Sequence, residues 1–513
     1  MTDPVTASNT AVAGRRVPVA LAAAPVAAFI FVAMLALAAF AVRQGLIADD
    51  ALRLWAGAST AADGEVPIGR IVAAYPTLPF MSTTLLAWLS PADTPAPEIT
   101  AAAVLALIAV CCFVSFRRAG LPAVATVAAT LLIALHPAML RAVVAGPGDM
   151  FLAAFLLMLC LALYDLRARS GTAEVMNVGV ALMGLAFAHP MGAVFAFAIV
   201  PFLVFAVRPV LIAHSAPNVL IALVFPTLFA LAAFSYVAWI FPGDGWSFYA
   251  APAESLSLWS VTVARLFDGS LSGVPAIEAS VAMALALVVG APAAAVVLAG
   301  VRRRRPLIAP ALVFGAAVIA ATAVSVLSGY FGNPAALVVA SPMLAASVVS
   351  RVAAARERLV PLMGLLVVGW FGGLVSLGLV DPVMLSRLQP PLAAAGGERT
   401  DALAAGGAAA ARGGVLVDVN NAPAFVLGRG SARGILGPQS EAFALTLLFD
   451  RVDAPFVAVP DPQSRTGASD RLDQAFPSLF REGLPGYRII YQNDTWRLFG
   501  RANNRTANNN ETK

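Results

Sequence analysis

Three aspartates are the residues of this chain best placed to do chemistry. Asp49 and Asp50 follow the first long apolar run, and Asp149 follows Gly146-Pro147-Gly148 at the start of another. A carboxylate can take a proton from a hydroxyl group, and it can also bind a divalent cation. Because only 12% of the 513 residues are charged, acids at the ends of apolar runs are candidates for general-base catalysis.

Arginines near these acids could bind an anionic group. Arg53 and Arg70 follow the acidic pair, and Arg141 precedes Asp149. The forked guanidinium group suits phosphate oxygens, so each of these arginines, like Arg265, is a candidate phosphate ligand. The alternative for each is a lipid headgroup contact or a salt bridge to a nearby aspartate.

The elements that must position these residues are membrane-spanning helices. Hydrophobic residues make up 60% of the chain, and the mean hydropathy is +0.84, which no soluble core of this size requires. The net charge of +5 comes from short arginine clusters between apolar runs, a pattern that indicates membrane topology and not nucleic-acid binding. All three cysteines lie inside apolar runs, so neither a disulfide framework nor a zinc site is indicated.

The apolar runs predict eleven spanning helices. They lie at about 18–42, 98–116, 121–140, 150–166, 172–190, 192–208, 217–241, 276–300, 307–329, 334–350 and 359–380. The arginine clusters occur at alternate ends of these runs, which predicts a cytoplasmic N-terminus. Four segments then face the opposite side, namely 43–97, 141–149, 242–275 and the tail from Asp381 onward. The three aspartates therefore share one side of the membrane.

Two further regions complete the predicted architecture. Residues 78–89 are apolar but too short to cross a bilayer, which predicts an interfacial helix within the loop 43–97. After a membrane domain over residues 1–385, the Ala- and Gly-rich segment 386–414 predicts a flexible linker. The fold class is thus a polytopic α-helical membrane protein with a small C-terminal α/β domain.

Strand and helix signals alternate in this C-terminal domain, which is predicted over 415–501. Short apolar segments predict strands at 414–418, 455–459, 487–491 and 496–499. Helical spacing at 440–449 and 471–480 predicts two helices, with Ser440 and Asp470 as N-caps. Residues 502–513 are predicted to be disordered.

The segments that carry the acids resemble a known enzyme superfamily. The stretches RQGLIADDALRLW, YPTLPF and HPAMLRAVVAGPGDM look like the N-terminal half of the GT-C glycosyltransferases, which include the protein O-mannosyltransferases and the lipid A aminoarabinose transferases. In that superfamily an acid after the first helix is the catalytic base, a Tyr-Pro-Pro-Leu-like element ends the first outer loop, and a second acid lies between helices three and four. Asp50 or Asp49, Tyr75-Pro76 and Asp149 match these positions, and the match makes Tyr75 a candidate substrate-binding residue. Thr77 replaces the common second proline, and the turn 141–149 is short.

The resemblance implies an inverting transfer of a sugar from a polyprenyl phosphate to an extracytoplasmic envelope acceptor, which could be a lipid, a glycan or a protein. It implies a location in a bacterial inner membrane. Asp50 or Asp49 would be the base and Asp149 the second acid. Some members need a divalent cation, so a cation held by Asp49, Asp50 and Asp149 is an open alternative, although the spacing of these acids does not establish a metal site.

Two His-Pro pairs and one aromatic loop could contact the substrate. His136-Pro137 and His189-Pro190 fall near the outer ends of predicted helices, where a histidine is commonly a hydrogen-bonded structural residue; the alternative is contact with the donor phosphate or the acceptor. The segment 241–249, which contains Trp246, is typical of an interfacial aromatic belt. Its alternative role is stacking on a sugar.

Two other functions fit parts of the sequence. A transporter or flippase for lipid-linked glycans would place acids mid-helix and show inverted repeats, but few charges lie mid-span and no repeat is evident. A catalytically silent GT-C-like scaffold, with a C-terminal domain that binds a partner, would keep the same acids for folding.

Overall fold

Helices form most of the chain, and a small sheet lies near its C-terminus. The computed structural model describes residues 16–43, 47–91, 94–169, 171–241, 273–299, 308–327, 334–352, 359–380, 393–438, 440–464 and 466–502. The predicted disordered tail, 502–513, lies outside the described residues except for its first residue.

The helices before the sheet are numbered in chain order. They are α1 (Arg16–Arg43), α2 (Asp49–Ala62), α3 (Ile68–Val72), α4 (Thr77–Leu89), α5 (Ala96–Arg118), α6 (Ala123–Ala134), α7 (Pro137–Ala145), α8 (Pro147–Arg169), α9 (Thr172–Ala188), α10 (Pro190–Ile199), α11 (Leu203–Ala206), α12 (Pro209–Ile240), α13 (Gly273–Gly290), α14 (Pro292–Ala299), α15 (Ile308–Leu327), α16 (Ala340–Val352) and α17 (Leu359–Val380). The α4 helix is the one predicted for residues 78–89.

Among the described residues, five helices are long and apolar enough to cross a membrane. They comprise Leu21–Val42 of α1, all of α5, all of α8, Pro217–Ile240 of α12 and all of α17. A sixth span results if α6 and α7, which meet at a bend of 50°, are counted as one. The chain therefore has the character of a multi-pass membrane protein, as its composition predicts.

The other five predicted spans are helical but short or broken, so eleven spans are not confirmed. Their apolar helical parts are Thr172–Ala188, Pro190–Ala206, Ile277–Gly290, Ile308–Val324 and Ala335–Arg351, each shorter than 18 residues. Pro292 begins a new helix inside the predicted span 276–300. A proline lacks the N–H that would continue the preceding helix and restricts the residue before it. The mean hydropathy of an apolar run stays high across such a break, so hydropathy alone does not detect it.

His136 joins three of these helices and has a structural role. Its Nδ1 accepts a hydrogen bond from the backbone N–H of Ala138 at 3.2 Å. The proton therefore lies on Nε2, which is 3.2 Å from the carbonyl oxygen of Gly290 and 3.1 Å from that of Gly369. The adjacent Gly372 leaves no room for a side chain because the backbone of Val289 lies against it. The α13 and α17 helices thus meet at a close crossing beside α7.

The C-terminal domain contains a sheet with the strand order β2-β1-β3-β5-β4. Its elements are α18 (Ala393–Ala408), β1 (Val415–Leu416), α19 (Pro423–Arg429), β2 (Ile435–Leu436), α20 (Glu441–Phe449), β3 (Phe456–Pro460), α21 (Arg471–Ala475), α22 (Leu479–Glu482), β4 (Tyr487–Gln492) and β5 (Trp496–Arg501). The four predicted strands and the caps at Ser440 and Asp470 are confirmed. The short β2 and α19 were not predicted, and Pro477 divides the second predicted helix into α21 and α22.

Successive side chains of the strands enter two apolar layers, as a period of two requires. On one face, Val415, Ala458 and Trp496 pack with residues of α18 and α19. On the other face, Val457 and Phe499 pack with residues of α20, α21 and α22. The sheet therefore has helices on both faces.

The flexible linker predicted over 386–414 is wrong for residues Ala393–Ala408, which form α18. Gly406 lies against the carbonyl group of Phe425, and Gly428 of α19 lies against the backbone of Leu403. Small residues allow the two helices to approach closely, so the Ala- and Gly-rich composition serves helix packing here. Composition alone suggested flexibility because the partner helix is not visible in the local sequence.

Candidate functional site

Asp49 and Asp50 lie in the first turn of α2, where acidic side chains interact favourably with the helix dipole. Consecutive helical residues point in different directions. The Asp49 carboxylate accepts a hydrogen bond from Nη2 of Arg399 at 3.0 Å. The Asp50 side chain is 87% exposed and lies 3.8 Å from Nη1 of Arg53. The two neighbouring acids therefore have different surroundings.

Asp149 lies in the first turn of α8 and is buried with two partners. One carboxylate oxygen accepts a hydrogen bond from Nη1 of Arg141, whose side chain is also buried. The other oxygen is 3.3 Å from Nε2 of His189. A buried carboxylate needs such partners because it has left water. The structure thus brings together three residues that are separated in the sequence.

His189 has a defined orientation because it also caps α10. Its Nδ1 accepts a hydrogen bond from the backbone N–H of Met191 at 3.0 Å. In the neutral ring the proton then lies on Nε2, the nitrogen 3.3 Å from the carboxylate of Asp149. The imidazole is therefore held with its N–H towards Asp149.

Glycines in the turn before Asp149 allow α2 and His189 to approach. Gly146 has a φ of 118°, a conformation that favours glycine, and a Cβ there would lie 3.3 Å from that of Ala51. A Cβ on Gly148 would lie 3.2 Å from Cδ2 of His189. The first turn of α2 therefore packs against the turn that precedes Asp149. The buried group of Asp149, Arg141 and His189, together with Asp50 on this neighbouring turn, is called the acidic centre below.

Tyr75 holds the loop next to the acidic centre. Its hydroxyl donates a hydrogen bond of 2.8 Å to the carbonyl oxygen of Ala186, near the end of α9. Its ring contacts that of Phe234, with the centroids 6.1 Å apart. The Tyr75–Pro76 peptide bond is cis. Tyr75 was predicted to contact substrate, and the described contacts of its hydroxyl and ring are with the protein.

An apolar cleft lies beside Ala186. Its cavity volume is about 10 Å³, and it lies between α9, α10 and α12 with a lining that includes Leu182, Ala186, Phe197, Thr227 and Leu231. Phe197 is half exposed on the surface of the helical bundle. Almost all of the lining is hydrocarbon, and the cleft is a narrow gap in the helix packing that has about the size of one water molecule.

The predicted site residues divide into three groups. Asp50, Asp149, Arg141 and His189 form the acidic centre, with Arg53 next to Asp50 and Tyr75 close by. Asp49 is paired with Arg399 instead. The backbone of Arg70 belongs to α3, its side chain is not described, and Trp246 and Arg265 lie outside the described residues.

Arg399 is the contact that the sequence did not indicate. It lies in the segment predicted to be a linker and is 350 residues from Asp49. The sequence contains no local signal for such a distant pair.

A divalent cation does not fit the acidic centre as described. No group of three His, Cys, Asp or Glu side chains in the described ranges is arranged to hold a metal ion. Asp149 faces the guanidinium of Arg141 and the imidazole of His189. A cation would have to displace these donors, so the centre is better suited to proton transfer and anion binding.

Comparison with known proteins gives no further guide to this site. No protein-family model matches the chain, and no curated protein matches it. The geometry of the acidic centre is therefore the basis for assigning a function.

Proposed function

We propose that the protein is a GT-C-like glycosyltransferase that moves a sugar from a polyprenyl phosphate to an envelope acceptor with inversion at the anomeric carbon. The observation that carries this proposal is the acidic centre, in which the exposed carboxylate of Asp50 belongs to a helix that packs against the turn before a buried Asp–Arg–His cluster. Such a centre combines a proton acceptor with fixed donors.

Asp50 is the general base in this proposal. The acceptor hydroxyl attacks the anomeric carbon while the carboxylate of Asp50 takes the hydroxyl proton. The bond between the anomeric carbon and the phosphate oxygen breaks, and the phosphate keeps the electron pair. Asp50 is favoured over Asp49 because its side chain is exposed, whereas Asp49 faces Arg399.

Cationic and hydrogen-bonding groups must stabilise the leaving phosphate. Arg53 is exposed beside Asp50 and can bind phosphate with its guanidinium group. Asp149 orients Arg141 and His189, so it acts through these two side chains.

The proposed setting is a bacterial inner membrane that the chain crosses eleven times, with a cytoplasmic N-terminus. The acidic centre and the C-terminal domain would then lie outside the cytoplasm. Two facts support this topology. All eleven apolar runs contain described helices, and the arginine clusters alternate along the sequence.

The test is sugar transfer by the full-length protein in proteoliposomes. A panel of radiolabelled polyprenyl-phosphate sugars is supplied with envelope lipids and glycans as acceptors. We expect Asp50→Asn to reduce transfer by about 10²- to 10⁴-fold, the range for loss of a general base. Asp49→Asn should keep most of the activity because its amide oxygen can still accept a hydrogen bond from Arg399. Full activity of Asp50→Asn would contradict the assignment of the base. Wild-type inactivity across the panel would favour a silent scaffold.

A further inference from the structure

Both ends of α2 are bound by the C-terminal domain. At the start of the helix, Asp49 pairs with Arg399 of α18, and the two side chains are 37% and 20% exposed. A pair shielded to this extent contributes more than one fully in water. Asp49 is adjacent to Asp50, so this contact fixes the first turn of α2.

At the other end, the turn after α19 binds two acids. One oxygen of Asp63 accepts hydrogen bonds from the backbone N–H of Ala432 at 2.6 Å and from the hydroxyl of Ser431 at 3.0 Å. Glu65 accepts a hydrogen bond from the backbone N–H of Gly434 at 2.9 Å. Backbone donors are fixed in direction, so these bonds specify where the end of α2 must lie.

The middle of α2 completes the contact with apolar side chains. Leu427 of α19 packs against the cluster of Ile47, Leu52 and Trp55. Ala56 lies within the same buried cluster as Phe425 of the C-terminal domain. Apolar surface is buried at the middle of α2, between the polar contacts at its two ends. The start, the middle and the end of the helix therefore form one continuous interface with the C-terminal domain.

The α2 helix also packs against α4 and against the turn between α7 and α8. Gly57 is positioned so that a Cβ would lie 3.6 Å from the ring of Phe80 in α4, and Ala51 contacts the turn at Gly146. The α2 helix is therefore held between the C-terminal domain and the helical bundle. Its first turn carries Asp50 at the open edge of this arrangement.

We propose that the C-terminal domain is a clamp that positions α2, with Arg399 and Asp63 as positioning residues for Asp50. Neither residue needs to contact substrate for this role. The effect of the clamp on catalysis rests on the proposed function, whereas the positioning of α2 by the C-terminal domain does not. Release of the clamp would leave the domain folded, increase the motion of α2 and misplace the base.

A charge swap tests the clamp in the full-length protein in lipid nanodiscs. Arg399→Glu and Asp49→Arg each place like charges together, and the double variant restores an opposite pair. Hydrogen exchange of α2 reports on the clamp without any activity measurement. We expect about tenfold faster exchange in each single variant, a size typical of coupling between contacting residues, and recovery in the double variant.

Two further variants separate the clamp from general damage. Arg451→Glu is the matched control because Arg451 pairs with Asp453, which lies in the same domain, and both side chains are exposed. Asp63→Ala should also speed the exchange of α2, while the amides of β3 and β5 stay protected in every variant. Unchanged exchange of α2 in both Arg399→Glu and Asp63→Ala would overturn the clamp.

Transfer assays on the same variants test the catalytic part. We expect the single charge variants to lower kcat about tenfold at an unchanged KM for the lipid donor, and the double variant to recover. Faster α2 exchange with no fall in kcat would overturn the positioning role. A wild-type protein that transfers no sugar would refute the proposed function, while the exchange data would still decide the clamp.

Discussion

Three carboxylates of similar sequence context have different surroundings in this protein, and each difference has a local cause. Asp149 is buried between Arg141 and His189, Asp49 faces Arg399, and Asp50 is largely exposed. The sequence predicts that Asp50 and Asp149 lie on the same side of the membrane, because the positions of the arginine clusters indicate the topology. It could not predict the partner of Asp49, since that contact depends on the packing of α18.

The burial of Asp149 predicts a stability effect that Asp50 should not show. Asp149→Asn would leave the Arg141 guanidinium buried without its counter-charge, and breaking a buried pair costs about 3–5 kcal/mol. Thermal unfolding of the detergent-solubilised protein should therefore show a clear loss of Tm for Asp149→Asn and almost none for Asp50→Asn. Equal Tm values for the two variants would contradict the buried ion pair.

At the scale of elements, glycines and prolines decide how the helices meet. Pro137 and Pro292 begin new helices inside predicted spans and so divide each of those spans into two shorter helices. Gly372 of α17 lies against the backbone of α13, whereas Gly364 of the same helix has open space around it. The structure thus distinguishes two glycines that look alike in the sequence.

These two glycines predict opposite outcomes for the same substitution. Gly372→Leu must push α13 and α17 apart, and overpacking of this kind costs about 1–3 kcal/mol or more. Gly364→Leu adds a side chain to open space and should be tolerated. The fraction of monodisperse protein after detergent extraction measures the difference, and a normal yield of Gly372→Leu would rule out the close crossing.

Asp470 predicts a pH dependence within the C-terminal domain. Its carboxylate caps α21 by accepting hydrogen bonds from the N–H groups of Leu472 and Asp473. Burial raises the pKa of Asp470 most, the charges of Asp418 and Asp473 also raise it, and the capping bonds lower it, so that the pKa moves from 3.8 to about 7. Between these pH values the folded domain holds a proton that the unfolded chain has released.

The stability of the domain should therefore be highest near pH 4 and fall as the pH rises to about 7. The expected loss is on the order of 3 kcal/mol, since each unit of pKa corresponds to about 1.4 kcal/mol. Asp470→Asn keeps a residue that caps helices well but cannot ionise. Hydrogen exchange of β3 and β5, corrected for intrinsic rates, should depend on pH in the wild type and not in this variant. Equal pH dependence in both would exclude Asp470 as the group responsible.

The protein consists of a helical membrane domain and a C-terminal α/β domain, which the sequence distinguishes well. Long apolar runs predict the membrane helices and short apolar segments predict the strands, because both depend on local patterns of apolar residues. The docking of that domain on α2 joins segments more than 300 residues apart, so no local pattern reports it. The acidic centre therefore needs both parts of the chain, one to provide its residues and one to hold α2.

The central claim is that the exposed Asp50 is the base of this centre and the paired Asp49 is not. The most direct measurement is the rate of sugar transfer by Asp50→Asn relative to Asp49→Asn in the same proteoliposomes. We expect the Asp50 variant to be slower by about 100-fold or more, as loss of a general base requires. Equal rates for the two variants, or a slower Asp49 variant, would contradict it.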